Sequence, residues 1–458
     1  MKQSVFIAIL VFFHVLTHAQ KYAPVVTPER TVLDTFHGNY SIRDNYRWLE
    51  NTDSLEVKKW VDQQNSAADK FLSKAIARTS SYTLIDKYAN VQYSNLRRAG
   101  NFYFMYATYN EGVPALFYQS GIHDEPDLLI DPNLISRKDK IVLNGYSVSK
   151  DSKLLAYQFS RNGSDWNEIK VVSLQTRSEK KDHLTGLKFS HIEWLGNGFF
   201  YKTVSQDGQF GKTMDEKICY HRIGDEQSSD TTVFRIKNAV SLDYLDYLTT
   251  SDERFLVIKE TEENRTSASF YYIDYSSKPL VLKPLLKESN FRLQILDARN
   301  GKLIFNKQTK SDFGSIIEID PRNPDEQFTI VKERPDTLLL EVIPYKDRIV
   351  AFYQTAHQQI VVITDYSGTV LKKLKFPLGY SVSGFEGNFD DEEVLFRYSN
   401  FTTPPLVYKF NLTSFKRELV KKTKISFSIE AIEYKEVEYL SKDSVKIPML
   451  LVYEKGIN

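Results

Sequence analysis

Short apolar runs separated by polar turns dominate most of this 458-residue chain. Phe102-Tyr103-Phe104-Met105-Tyr106 and Leu154-Leu155-Ala156-Tyr157-Gln158-Phe159 are typical. Aromatic and β-branched runs of this length, bounded by turn residues, read as β-strands. One event recurs seven times: a polar turn followed by an apolar strand. The turns fall at Gly100-Asn101, Asp151-Ser152, Gly196-Asn197, Asp252-Glu253, Asn300-Gly301, Lys346-Asp347 and Asp390-Asp391, with strands starting near Phe102, Leu154, Phe199, Phe255, Leu303, Ile349 and Val394. The spacing is about fifty residues, the length of one four-stranded propeller blade. Two repeats open identically, with Gly-Tyr-Ser-Val-Ser at Gly145 and again at Gly379. The pattern predicts a seven-bladed β-propeller over residues 91–430. One small antiparallel sheet cannot bury its own apolar faces, whereas blades packed round an axis cover each other. A pair of β-sandwiches or a solenoid is the competing reading of similar strand content.

The flanks read differently. From about Asp44 to Lys87, Asp53 and Ser54 can cap a helix, and Leu55, Trp60, Val61 and Ala68 follow at helical spacings, so residues 20–90 are expected to form a helical N-terminal segment. Residues 431–458 return to strands, Val437–Leu440 and Lys446–Tyr453, around a turn at Lys442-Asp443-Ser444. At the start, Lys2, the apolar run Val5–Leu16 and Thr17-His18-Ala19 fit a signal peptide over residues 1–19, which predicts export to the periplasm or medium and no membrane attachment after cleavage. An N-terminal membrane anchor is the alternative, although the run falls short of the ~20 apolar residues that span a bilayer.

Composition supports the β reading: 29 Phe, 28 Tyr and 4 Trp suit half-buried strands. With 60 basic and 59 acidic residues the chain carries no signature of a nucleic-acid binder. Cys219 is the single cysteine, so no disulfide within the chain is available. Five N-x-S/T sequons, at Asn39, Asn162, Asn264, Asn400 and Asn411, matter only in a eukaryotic source.

Candidate chemistry is sparse. A serine nucleophile elbow needs Gly-x-Ser-x-Gly; the repeats at Gly145 and Gly379 carry serine at the fifth position and read as structural turns. Beyond His14 and His18, histidines stand at positions 37, 123, 183, 191, 221 and 357, none in a close metal-ligand pair. Gly208-Gln209-Phe210-Gly211-Lys212-Thr213 resembles a phosphate loop but has two residues between its glycines where the cradle needs four. The acidic run Asp390–Glu393 reads as a solvated turn. No cofactor and no metal is expected.

Asp44-Asn45-Tyr46-Arg47-Trp48-Leu49-Glu50, Gly163-Ser164-Asp165-Trp166, Lys188-Phe189-Ser190 and Tyr220-His221-Arg222-Ile223-Gly224 follow one another along the chain. In the same order they resemble the D-P-Y-x-W-L-E entry segment, G-S-D-W loop, K-F-S segment and Y-H-x-L-G strand of the prolyl oligopeptidases, serine peptidases that cleave short peptides after proline. Lys446-Ile447-Pro448-Met449 and Glu454-Lys455-Gly456-Ile457 are similar to the stretch that opens that family's hydrolase domain. Asn45, Asn51 and Cys219 depart from the pattern, which weighs against close orthology rather than against the family. The resemblance implies a mostly β fold: the helical segment, the propeller, then the first strands of an incomplete α/β-hydrolase domain, with the Ser/Asp/His triad in ~200–250 further residues. It implies that this chain is the non-catalytic, gating and substrate-filtering portion of a proline-specific endopeptidase, itself inactive and monomeric. Its partners would be short proline-containing peptides and its own hydrolase domain. Phe189 matches the family phenylalanine that lines the outer part of the peptide site and is the candidate substrate contact; an ordinary blade-core aromatic is the other reading. A stand-alone peptide- or protein-binding propeller is the alternative function.

Overall fold

The computed structural model describes residues 24–36, 40–79, 96–108, 113–204, 214–239, 244–261, 267–289, 292–308, 313–335, 337–355, 358–376, 379–423, 425 and 429–457. The expected signal peptide (1–19), the glycine loop Gly208–Thr213, Asn39, Asn264, and His14, His18, His37 and His357 lie outside these residues. The chain divides into two compact units, residues 1–90 and 91–458.

The first unit corrects the helical expectation at its start. A hairpin of Val32–Phe36 and Tyr40–Asp44 precedes a 3-10 turn at Arg47–Glu50 and the helix Leu55–Thr79. Ser54 caps the helix, its hydroxyl accepting from Val57 N–H at 3.1 Å. Trp48 and Trp60 meet edge to face at 6.4 Å and donate to Pro28 O and Thr27 Oγ1 at 2.9 and 3.1 Å. Asn45, where the family has proline, holds Glu29 and Thr31 through its amide at 2.9 and 2.8 Å.

In the second unit seven four-stranded antiparallel sheets follow one another: blades 1 to 7 span 97–130, 141–187, 193–239, 245–289, 292–331, 338–375 and 381–422. Every strand pairs with its sequence neighbour, so each blade is built from one continuous stretch of chain. The seven turns read from the sequence are the connections between the first and second strands of the seven blades. Gly100, Ser152, Gly196, Glu253, Asn300 and Gly301 take the positive φ such tight turns demand. First strands of successive blades 2 to 6 neighbour one another and form the inner ring. Second and third strands are sealed between blades; Leu154–Arg161 and Ile349–Gln354 are buried almost throughout. Fourth strands are exposed edges, and in blade 6 Lys372, Lys373 and Lys375 discourage pairing with a foreign strand. Gly145 lies within the strand Ile141–Val148 rather than in a turn, beside a bulge that re-aims the strand. After blade 7 comes a hairpin of Ile432–Leu440 and Lys446–Glu454, turning at Ser444 with φ 65°.

Candidate functional site

Phe189 is not a blade-core aromatic. It lies between the last strand of blade 2, Glu179–Leu187, and the first strand of blade 3, Glu193–Leu195, with 53% of its surface open. Its φ is 50°, a left-handed conformation that costs a bulky L-residue on the order of 1–3 kcal/mol. The flanking residues hold it there. Gln158 Nε2 donates to Ser190 O at 3.0 Å, and Lys202 N–H donates to Ser190 Oγ at 2.8 Å. The His191 ring stacks on Tyr247 at 4.1 Å, its Nε2–H donating to Tyr247 O at 2.7 Å. Tyr247 OH donates back to His191 O at 2.6 Å.

Two of the family-like segments converge here. The loop Gly163–Trp166 leaves a turn in which Asn162 and Gly163 have positive φ, and Trp166 N–H is held by Ser164 Oγ at 3.1 Å. Below it, Arg161 pairs with Glu168 and Asp139 at 2.5 and 3.0 Å, and His183 meets Glu168 at 2.6 Å. Lys188 bridges the two segments, its ammonium 5.6 Å from both the Trp166 and Phe189 rings and 3.5 Å from Asp165. The result is an open aromatic surface with a cation between its rings.

The polar groups beside this surface are engaged with one another rather than poised for reaction. The Ser190 hydroxyl is engaged by Lys202 N–H, and the His191 ring nitrogen faces a carbonyl, so neither is set up as nucleophile or base. Burial raises the Glu193 carboxyl above its ordinary range, with the nearby His191 opposing. Burial likewise raises Tyr247. Among the described residues no group of three His, Cys, Asp or Glu side chains could hold a metal ion, and no helix is long and apolar enough to cross a membrane. Sequence reading nominated Phe189 but missed that Trp166 shares its Lys188 contact and that Tyr247 holds His191 beside it. Trp166 and Lys188 stood in separate motifs with nothing to say they meet, and Tyr247 comes from the next blade.

The third propeller segment, Tyr220–Gly224, supplies His221, buried in blade 3 between Asp182 and Asp230. The profile described as prolyl oligopeptidase, N-terminal β-propeller domain, matches residues 24–423. The chain belongs to the prolyl oligopeptidase family. It is 26% identical to a prolyl endopeptidase of Elizabethkingia miricola, covering 98% of this chain and 65% of that protein, and 25% identical to one of Dictyostelium discoideum, covering 94% and 67%. Against the Elizabethkingia relative, the chain therefore spans just under two thirds of the length. Its fold matches a prolyl endopeptidase structure with TM-score 0.79 at 24% identity, covering 95% of this chain and 65% of that one. It also matches prolyl oligopeptidase B of Galerina marginata bound to a 35mer hydrolysis and macrocyclization substrate, with TM-score 0.77 at 19% identity, covering 95% and 66%.

Proposed function

We propose that this chain is the gating and substrate-filtering portion of an exported, prolyl-oligopeptidase-like serine endopeptidase that cleaves short peptides after proline, and that the chain alone hydrolyses nothing. Phe189 carries the reading. Its ring is held in the open, in a costly backbone conformation, by hydrogen bonds to the residues that follow it. Packing gives no reason for that arrangement; contact with a passing peptide does. In this reading the catalytic serine, acid and histidine belong to an α/β-hydrolase domain of a longer polypeptide. There the serine attacks the carbonyl after proline, histidine acts as general base, and water releases the acyl-enzyme.

The test uses a short chromogenic peptide with proline before the scissile bond. The 458-residue chain should release no product, and a polypeptide that joins it to such a hydrolase domain should release it. In that longer polypeptide, Phe189→Ala should raise KM for longer proline peptides about fivefold, on the order of 1 kcal/mol, with kcat and thermal unfolding unchanged. Turnover by the chain alone, or an unchanged KM, overturns the reading.

A further inference from the structure

The last strand of blade 2, Glu179–Leu187, is a sheet edge, yet side chains lace it to blade 3. Thr203 Oγ1 donates to Gly186 O at 2.7 Å. Gln227 takes both backbone groups of Thr185, accepting from its N–H at 3.0 Å and donating to its carbonyl at 2.9 Å. Further along, Asp182 Oδ1 accepts from Gly224 N–H at 2.5 Å and lies 3.1 Å from His221 Nε2. The other ring nitrogen, Nδ1, lies 2.8 Å from Asp230 Oδ1. His221 and its two carboxylates are all but closed to solvent.

A neutral imidazole has one N–H; its second nitrogen would present a lone pair to a carboxylate oxygen. Only the imidazolium donates to both acids. The groups facing the ring are Asp182 from blade 2, Asp230 from the turn before Thr231–Ala239, and Phe199 at 5.4 Å from the strand Gly198–Val204. Behind Asp230 stand two further titratable groups, Tyr201, whose hydroxyl donates to Asp230 Oδ2 at 2.8 Å, and Cys219, whose thiol burial holds protonated. The ring's charge thus answers two carboxylates.

We propose that His221 is a proton-operated clasp between blades 2 and 3: charged, it holds the strand that leads to Phe189 against blade 3; neutral, it lets go of one carboxylate and that strand loosens. The clasp does not depend on the peptidase reading; only its consequence for Phe189 does. Burial works against the ring's charge, but hydrogen bonding and attraction from Asp230 and Asp182 outweigh it, leaving its pKa above the ordinary value of 6.5. A raised folded value fixes the sign. The clasp contributes fully below about pH 6.5, and its contribution is lost as pH climbs through the folded pKa.

The experiment uses the 458-residue chain without substrate, so its outcome is separate from the peptidase assay. Histidine ring resonances are followed by NMR from acid to alkaline pH, with His221 identified by the signal that disappears in His221→Gln. Hydrogen exchange of the 182–187 amides, corrected for intrinsic pH dependence, is measured over the same range. The His221 ring should titrate above the ordinary value of 6.5, and exchange should rise as it deprotonates, by about tenfold for each unit by which its pKa is raised. Amides of Ile349–Gln354 in blade 6 should show no such step. Glutamine keeps one donor and cannot titrate, so the variant's exchange should lose its pH dependence. If the variant does not fold, the ring titration and exchange of the unaltered chain decide the matter. A ring that titrates at or below the ordinary value of 6.5, a pH-independent exchange at 182–187, or the same step in the variant overturns the clasp.

Discussion

The junction between blades 2 and 3 and the one between blades 7 and 1 solve the same geometric problem with different means. At the first, the chain runs directly from one blade to the next through residues 188–192, ten buried residues including Leu184, Trp194 and Phe199 form the apolar filling, and the edge strand is laced down by Gln227, Thr203 and the His221 cluster. At the second, each sheet is built only from its own consecutive strands, so no strand from one end of the ring completes the blade at the other. Among the described residues its buried filling is Leu96, Leu395 and Val407, with Tyr103, Met105, Ile122 and Val420 partly covering it. What ties it is polar: Asn388 donates to Gly100 O at 2.8 Å and accepts from Gly100 N–H at 2.9 Å, and Arg98 pairs with Asp391 at 3.0 Å. Apolar burial scales with area and tolerates small shifts, while directional polar ties fail abruptly once geometry slips. The closing junction is therefore where the ring should open first.

Matched truncations test that difference most severely. Leu184→Ala empties a fully buried site between blades 2 and 3, and Leu395→Ala does the same beside blade 1. Buried leucine truncations cost roughly 2–5 kcal/mol, more where surroundings cannot collapse into the space. Leu184→Ala should fall toward the upper end and Leu395→Ala toward the lower, read from urea unfolding. Equal costs would mean that the closing junction is packed as rigidly as the rest.

Asn388→Ala is the next largest. It removes both hydrogen bonds across the closing junction and leaves the Gly100 groups without that partner, at a cost of about 1–2 kcal/mol. Exchange of the 97–107 amides should accelerate about tenfold while blade 3 amides stay unchanged. Uniform acceleration throughout the ring would show that the blades open together rather than at this joint.

Much of this was legible in the sequence because the turns are local. All seven connections between first and second strands carry Gly, Asn, Asp, Ser or Lys at the bend, and the second strands read as unbroken apolar runs because both faces are covered. The hairpin at Val32–Phe36 and Tyr40–Asp44 was missed because its five-residue strands are largely exposed, leaving no buried alternation to see. The acidic run at Asp390 was read as a solvated turn, yet Asp391 is the partner of Arg98. Interactions between blades have no periodic signal. His191 and Tyr247 are 56 residues apart, Asp182 and His221 39, and Gly100 and Asn388 288. Packing of successive blades makes the first two pairs neighbours and ring closure the third, and only the fold reveals it.

The smallest effect separates charge from shape at the closing junction. Arg98 and Asp391 are partly shielded, with side chains 24% and 14% exposed, whereas Arg97 and Glu386, 3.6 Å apart in the same joint, are more open. Raising salt to about 0.5 M shortens the screening length to a few ångströms and should weaken the exposed pair almost completely and the shielded one in part, together on the order of 1 kcal/mol or less. The expected outcome is a two- to fivefold rise in exchange at 97–107 with salt, abolished for the most part by Arg97→Gln and only in part by Asp391→Asn, while the 182–187 strand, whose Asp182 carboxylate is closed to solvent, does not respond. A salt response at 182–187 equal to that at 97–107 would place the two junctions in the same electrostatic class and remove the contrast drawn between them.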